Sequence, residues 1–524
     1  MPRSADLTIP YRPLRLAGGA AIAIGIALLI GTLFWVILDA SGGAAGSADV
    51  DLGYLIWITT LQATLSTVLS LLAGNALAWA LNRLLFPGRS VIIGLFASAI
   101  VTPGLVVAFG LIDVWGRSGW FGAFGIPIFG LGGVVAAHLI LDGAFAARIL
   151  LARLDAIPDM RLKTGQSLGL DVWTRFTVID WPAMRGTLPG LGAIIFLLAF
   201  TSFPIVLLLG GGPAVQTLEV AIYSAVRLDF DLGAAVTLAL VQIGICAAII
   251  LLSAALAPLS TSLDRPSEPR WRDAPTAQVL QVAVLTAALA GFAAPLLAVL
   301  LDGLGGLSGV LRQATFWNGV ATSLWIGVCS AVLALLLALV VASARAAATS
   351  RTIRTLVAAP AYAYLAVPAV ALSLGAFLLV RDAGIAPESA APAVVVIANA
   401  LLSLPFAMAT LAPPFEAVAR SRGRLIRSLG LSGWRQFRDV EWPLLARDVG
   451  LVLALGFCFS LGDLGVIALF GTQDFATLPL LMVRALGAYR SHDAAAIAAL
   501  MLVMTIAAFV LLPKLFERLS RADA

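Results

Sequence analysis

The chain has 524 residues, of which 61% are hydrophobic and 12% are charged, with a formal net charge of +5. Soluble domains carry about 25% charged residues, so this composition excludes a soluble globular protein and indicates a polytopic membrane protein. The charges are too sparse and too often interrupted by apolar runs to form a nucleic-acid-binding surface, so no nucleic-acid partner is expected.

Apolar runs long enough to be membrane helices recur along the chain, since a crossing needs about 20 residues. The first set of six is predicted at 17–38, 55–81, 91–112, 131–151, 188–209 and 233–258. The second set of six is predicted at 277–301, 319–343, 356–380, 391–412, 447–470 and 494–513. The run at 17–38 exceeds the apolar region of a signal peptide, so we expect it to be a helix. The sequence therefore predicts an all-α fold of about 12 transmembrane helices.

The basic residues fall mainly on one side of these predicted spans. With the N-terminus placed inside, 27 of the 33 Lys and Arg residues lie in inner segments and the remaining six lie in outer ones. Cytoplasmic loops carry such an excess of basic residues. We therefore expect both termini to be cytoplasmic.

The chain also repeats itself. A constant offset of 261 residues relates Asp155 to Glu416, Ala156 to Ala417, Gly169 to Gly430, Trp173 to Trp434, and Trp181-Pro182 to Trp442-Pro443. Equal numbers of spans with the same starting side predict parallel repeats, related by an axis along the membrane normal. The predicted halves are 1–260 and 277–524, and the polar segment 261–276 is the predicted cytoplasmic linker between them.

The duplicated residues lie in two polar stretches, which we call the first block (152–187) and the second block (413–447). In each block a glycine follows the acidic residue by 14 positions (155 to 169, 416 to 430). Such a glycine is expected to end a short surface helix or to form its C-cap. One such loop is equally consistent with the basic loops that set membrane orientation, but two in register predict two docking sites.

The blocks resemble the coupling loop of ABC importer permeases, whose pattern is E-A-A, then glycine, then an aromatic residue and proline. The resemblance implies that the ATPase-coupling residues are Asp155, Ala156, Gly169, Trp173, Glu416, Ala417, Gly430 and Trp434. The blocks depart from the pattern at two positions: the third residue is Ile157 or Val418 instead of Ala, and the first block has Asp155 instead of Glu. The implied architecture is that of a type I ABC importer permease with its two halves fused.

No ATP-binding loop is predicted in the chain itself. A P-loop requires Gly-Lys followed by Ser or Thr, whereas Lys163 and Lys514 are the two lysines and follow Leu162 and Pro513. The family resemblance implies two cytoplasmic ATP-binding subunits and a substrate-binding protein on the outer face, in the bacterial inner membrane and in contact with its lipid. No catalytic residue, metal or cofactor is expected in this chain.

Two longer stretches narrow the resemblance. Residues 209–223, which contain Leu-Gly-Gly-Gly-Pro and Thr-Leu-Glu-Val-Ala-Ile-Tyr, and residues 460–479 resemble permeases of thiamine ABC transporters. The likeness covers the whole chain, and it implies import of thiamine or one of its phosphates. Ferric-iron permeases share the fused layout, so iron or another small solute stays an alternative substrate.

Four polar residues within the predicted spans are candidates for a translocation path: His138, Asn399, Ser202 and Asp463. The 261 offset relates His138 to Asn399 and Ser202 to Asp463. An ionisable group at a helix centre costs roughly 2.5–3.5 kcal/mol on insertion scales, so such residues need partners or water. A carboxylate would favour the thiazolium cation of thiamine. Hydrogen bonding that fixes helix packing is the alternative role.

Other function classes fit the sequence less well. A proton- or sodium-driven carrier also uses repeats, but gives no reason for duplicated glycine-containing inner loops. A membrane-embedded enzyme would need a catalytic cluster, whereas His138 and His492 are the two histidines and are far apart in the sequence. Cys246, Cys329 and Cys458 lie in apolar runs, so no disulfide framework is predicted.

Overall fold

A computed structural model describes residues 12–41, 51–212, 215–253, 268, 271–364 and 367–522. Throughout these residues the regular structure is helical, with no strand. This confirms the all-α polytopic fold predicted from composition. Cys246, Cys329 and Cys458 are free thiols in the structure.

The first half of the chain supplies twelve α-helices in its described part. In chain order they are α1 (Arg12–Ser41), α2 (Leu52–Arg83), α3 (Arg89–Ala97), α4 (Gly104–Trp115), α5 (Leu131–Asp155), α6 (Asp159–Ser167), α7 (Val172–Arg175), α8 (Trp181–Met184), α9 (Leu188–Phe200), α10 (Pro204–Leu209), α11 (Leu218–Arg227) and α12 (Leu232–Ser253). A π-helical turn, Phe176–Asp180, joins α7 to α8.

The second half repeats this order with fewer breaks in its described residues. Its helices are α13 (Pro275–Val310), α14 (Ala314–Ala347), α15 (Arg351–Ala363), α16 (Ala369–Asp382), α17 (Pro387–Ser428), α18 (Gly433–Gln436), α19 (Trp442–Gly462), α20 (Gly465–Phe470), α21 (Leu478–Gly487) and α22 (Ser491–Ala522). The π-helical turn Phe437–Glu441 joins α18 to α19. It lies 261 residues after its counterpart (176 to 437).

Within the described residues, nine helices are long and apolar enough to cross a membrane, or 11 if two bent pairs each count as one span. Four of the predicted spans, at 91–112, 188–209, 356–380 and 447–470, are not continuous helices. The pair that includes α3 and α4 bends by 112°. Pro103 directly precedes α4 and Pro368 directly precedes α16, and a proline disfavours helical backbone at the residue before it.

A second kind of break recurs at the same offset. α9 ends at Phe200 and α10 begins at Pro204, while α19 ends at Gly462 and α20 begins at Gly465. The predicted spans 188–209 and 447–470 are therefore each a long helix followed by a short one. Both breaks contain a candidate path residue, Ser202 or Asp463.

The chain divides into two compact units. Unit 1 contains α1, α14 from Val320 onward, α15 to α20, and α22 from Met504 onward. Close contact fixes α1 in this unit, because a Cβ added at Gly19 would lie 2.2 Å from the Cβ of Ala344. No larger residue fits at Gly19 without moving α1 away from α14.

Unit 2 contains α2 to α13, the start of α14, α21, and α22 up to Val503. In this unit α13 packs against α22, because a Cβ added at Gly303 would lie 2.5 Å from the Cβ of Ala499. Each unit thus includes the first helix of the other sequence half. The halves 1–260 and 277–524 stay a prediction about the duplicated sequence, and most of the linker 261–276 lies outside the described residues.

Candidate functional site

Both blocks contain the predicted C-cap glycine. Gly169 has φ 64° and Gly430 has φ 62°, which is the left-handed region where glycine is favoured. After them, the backbone N–H of Leu170 donates to Gly165 O at 3.2 Å and that of Leu431 donates to Ile426 O at 3.0 Å. These are the six-to-one bonds of a Schellman motif, so the two glycines end their helices in the same way.

An exposed tryptophan follows each glycine. Trp173 is 71% exposed and Trp434 is 72% exposed. The ring of Trp173 lies 5.9 Å from that of Phe176, and the ring of Trp434 lies 5.5 Å from that of Phe437, measured between centroids. A large aromatic side chain held in place by a neighbour but open on its outer side is typical of a protein-binding anchor.

The short helix α7, which carries Trp173, begins at a side-chain cap in the first block. Asp171 Oδ2 accepts from the backbone N–H of Trp173 at 3.1 Å and from that of Thr174 at 3.3 Å. Hydrogen bonds from Thr174 hold the pKa of Asp171 below its usual value. Ser432, at the matching position before α18, makes no such side-chain bond.

The acidic residue that begins each predicted coupling motif is tied to a membrane helix of its own unit. Asp155 Oδ1 accepts from Asn82 Nδ2 at 2.9 Å, and Glu416 Oε1 accepts from Arg345 Nε at 2.8 Å. The alanine after each acid, Ala156 or Ala417, is exposed. The acids therefore connect the blocks to α2 and α14, while the alanines leave room on the outer surface.

The two blocks differ where the sequence pattern predicts a short helix in both. In the first block α6 is separate, because Pro158 precedes it with extended backbone. In the second block α17 continues through Ala419, the matching position, and ends at Ser428. The expectation of a short separate helix is confirmed for the first block and wrong for the second.

Two residues of the first block take part in a buried network of two arginines and two aspartates, whose side chains are at most 3% exposed. Arg83 pairs with Asp180, and Arg175 Nη1 donates to Asp273 Oδ1 at 3.2 Å. Arg83 Nε also lies 3.6 Å from Asp273 Oδ2. Removing one partner of a buried pair costs about 3–5 kcal/mol because the other charge is left uncompensated.

In the second block a single ion pair corresponds to this network. Arg15 of α1 donates from Nη1 to Glu441 Oε1 at 2.8 Å and from Nη2 to Oε2 at 3.1 Å. Gln436 Nε2 also donates to Glu441 Oε1, at 2.7 Å. The offset of 261 relates Glu441 to Asp180 and Gln436 to Arg175, so the buried acid is kept and one arginine is replaced by an amide.

Sequence reasoning missed these buried acids, although a signal was present. Asp180 directly precedes Trp181-Pro182, and Glu441 directly precedes Trp442-Pro443. An acid at the same place in both copies of the repeat, directly before the duplicated Trp-Pro, was the available signal for a buried charged contact in each block.

The candidate path residues fall into separate units, and each is described there. In unit 2, His138 Nδ1 lies 3.1 Å from Asp142 Oδ2, and the buried Nε2 of His138 has no hydrogen-bond partner in the described residues. In unit 1, Asn399 Nδ2 donates to Ser460 Oγ at 2.9 Å, and its buried Oδ1 has no partner in the part of the chain described. Both residues therefore combine a packing contact with an unused polar atom.

The other two candidates lie at the helix breaks. Ser202 is 8% exposed, between α9 and α10. Asp463 Oδ1 accepts from the backbone N–H of Val466 at 3.3 Å, which caps α20, and its buried Oδ2 has no partner among the described residues. In the described part of the chain, no group of three or more His, Cys, Asp or Glu residues could hold a metal ion.

Relatives of known identity match the chain along nearly its whole length, although no protein-family model matches it. The thiamine transport system permease protein ThiP of Brucella melitensis is 35% identical over 507 residues, covering 94% of this chain and 93% of the relative. The proteins of the same name from Salmonella typhimurium and Escherichia coli are 35% and 33% identical, over 530 and 526 residues, with 96% of each chain covered. This confirms the family that the sequence motifs indicated. The chain belongs to the thiamine transport system permease proteins, a family of multi-pass membrane permeases.

Proposed function

We propose that this chain is the membrane subunit of an ATP-driven ABC importer that moves thiamine or its phosphates across the bacterial inner membrane. The names of its relatives support thiamine as the substrate. The resemblance of residues 209–223 and 460–479 to thiamine permeases supports the same substrate. A secondary carrier or an enzyme would leave the duplicated blocks unexplained.

One observation carries the proposal. The same exposed surface occurs twice at an offset of 261 residues, with a left-handed glycine, a tryptophan 71% or 72% exposed, and a π-helical turn. π-helical turns occur often at functional sites. Two matching surfaces suit two copies of one partner.

ATP hydrolysis on a separate chain supplies the energy in this proposal. The two partner copies are ATP-binding subunits, one docked at Trp173 of the first block and one at Trp434 of the second. A substrate-binding protein delivers thiamine at the outer face, and membrane lipid surrounds the apolar helices. The chain itself needs no cofactor for this role.

The orientation follows from charge. The blocks and both termini lie on the cytoplasmic side in this proposal, because 27 of the 33 basic residues fall on that side of the predicted spans. This orientation places both docking surfaces where ATP is available.

The path across the membrane is proposed to include His138, Ser202, Asn399 and Asp463. Buried polar atoms normally find a partner, so the unused atoms of His138, Asn399 and Asp463 suit contact with water or a polar solute. The carboxylate of Asp463 would favour the cationic thiazolium ring.

Reconstitution in lipid vesicles tests the proposal. The chain is combined with its ATP-binding subunit and a candidate binding protein, and ATP hydrolysis is measured with and without thiamine. We expect thiamine to stimulate hydrolysis, and Asp463→Asn to reduce thiamine uptake while keeping an acceptor for the cap of α20. A response to ferric iron and none to thiamine would overturn the proposed substrate.

Docking is tested by the double variant Trp173→Ala/Trp434→Ala. We expect it to retain much less ATP-binding subunit on purification, because removing an aromatic anchor from an interface costs about 2 kcal/mol or more, which weakens each docking site about 30-fold. Trp120→Ala is the matched control, since Trp120 is 45% exposed but lies in the segment between α4 and α5, far from both blocks in sequence. Full retention of the subunit by the double variant would overturn the proposed docking surface.

A further inference from the structure

The end of the linker between the two sequence halves is built into the base of the first block. Asp273 Oδ1 accepts from Arg175 Nη1 at 3.2 Å, and Asp273 Oδ2 accepts from Gln281 Nε2 at 2.7 Å. Arg175 belongs to α7 of the first block, and Gln281 belongs to α13. One carboxylate therefore joins the block to the first helix of the second half.

Trp271, two residues earlier, makes a second connection. The guanidinium carbon of Arg175 lies 3.7 Å from the centroid of the Trp271 ring, a cation–π contact. The same ring packs directly against α6, because a Cβ added at Gly165 would lie 2.9 Å from Trp271 Cζ3. Both α6 and α7 thus rest on a side chain of the linker.

This arrangement belongs to the first block and is not repeated under the second. There the acid Glu441 is held by Arg15, whose side chain is 21% exposed, and the position of Arg175 is taken by Gln436. In unit 2 the contact comes from Asp273, just before α13, the first helix of the second sequence half. In unit 1 it comes from Arg15, within α1, the first helix of the first half. The charge of the contacting side chain is reversed, because the first block is contacted by an acid and the second by a base.

We propose that Trp271 and Asp273 are positioning residues that fix the first block to α13, so that a displacement of the block on ATPase docking moves α13 with it. Buried ion pairs are screened little by salt, and the bonds of Asp273 to Arg175 and Gln281 leave little freedom between the block and α13. The linker then transmits movement of the first block to α13, in addition to connecting the two sequence halves. The transmission, but not the positioning, rests on the proposed function of the blocks as docking sites.

Amide hydrogen exchange on the permease without partners tests the positioning alone. In Asp273→Asn, an isosteric change, we expect residues 159–184 to exchange on the order of tenfold faster, because a hydrogen bond to a charged group is weakened. Residues 420–445 of the second block serve as an internal reference and should not change. Arg272→Gln is the matched control, because Arg272 is exposed beside Asp273. Unchanged exchange at 159–184 in both Asp273→Asn and Trp271→Leu would overturn the proposal.

The ratio of thiamine transported to ATP hydrolysed tests the transmission. We expect Trp271→Leu to lower this ratio while the ATP-binding subunits still co-purify, and Trp271→Phe to restore it, because phenylalanine again offers a ring face to Arg175. An unchanged ratio in Trp271→Leu would overturn the transmission. Absence of thiamine-dependent hydrolysis in the unmodified complex would instead count against the proposed function, and hydrogen exchange would still decide the positioning.

Discussion

At the scale of single residues, each block combines a left-handed glycine with an ion pair between residues far apart in the sequence. Gly169 and Gly430 were predicted as C-caps because a glycine after a helical stretch is a local signal, and their φ values confirm it. The pairing of Arg15 with Glu441 joins residues 426 positions apart, and that of Arg175 with Asp273 joins residues 98 apart. No local pattern specifies such partners, because they depend on how the helices pack.

Substitution by alanine is expected to destabilise the chain at the two C-cap glycines and to stabilise it at a glycine inside a helix. Gly169→Ala or Gly430→Ala should destabilise its block by about 1–2 kcal/mol, because an L-residue with a Cβ is strained at positive φ. The space around both glycines is open, with nothing within 4 Å of an added Cβ, so the cost is conformational and not steric. Local hydrogen exchange of the six residues before each glycine measures it.

Gly423 is the matched control. It lies inside α17, has no atom within 4 Å of an added Cβ, and is not among the glycines with positive φ. Gly423→Ala should therefore stabilise α17 by about 0.5–1 kcal/mol. Equal effects of the alanine substitutions at positions 423 and 430 would contradict a left-handed cap at Gly430.

At the scale of elements, apolar runs predicted where membrane helices lie but not where they break. Hydropathy averages over a window and does not register the bend of 112° in the predicted span at 91–112. Pro103 and Pro368 were local signals for breaks, since each directly precedes a helix in the structure. The break at Asp463 carries no proline, and a search for apolar runs could not have located it.

Pro158 separates α5 from α6 in the first block, whereas α17 continues through the matching Ala419 in the second. Pro158→Ala should join α5 to α6, because alanine removes the restriction on Ile157 and restores a backbone donor, as at Ala419 in α17. Amides 157–161 should then exchange more slowly. The reverse change, Ala419→Pro, should break α17 at a cost of about 3 kcal/mol. Unchanged exchange at 157–161 in Pro158→Ala would show that packing, not proline, separates α5 from α6.

At the scale of the whole molecule, the repeat predicted two halves, whereas the compact units exchange their first helices. α1 belongs to the unit that contains most of the second half, and α13 belongs to the unit that contains most of the first. Apolar helices pack in a membrane by close fit and not by hydrophobic drive, so their partners depend on surface shape. Gly19 against Ala344 and Gly303 against Ala499 are such fits, and a single sequence does not disclose them.

The exchange of first helices predicts how the chain behaves when it is divided between residues 260 and 261. The fragment 261–524 lacks α1 and so loses Arg15, the partner of the buried Glu441. Because the Arg15 side chain is 21% exposed, losing this pair costs less than the about 3–5 kcal/mol of a fully buried pair, and the close contact at Ala344 is lost as well. We expect fragment 261–524 to be sensitive to protease and to melt at lower temperature when expressed alone.

Co-expression with fragment 1–260 should restore protease resistance and the higher melting temperature, whereas co-expression with fragment 42–260, which lacks α1, should not. Equal stability of 261–524 with and without α1 would show that the second half is complete in itself.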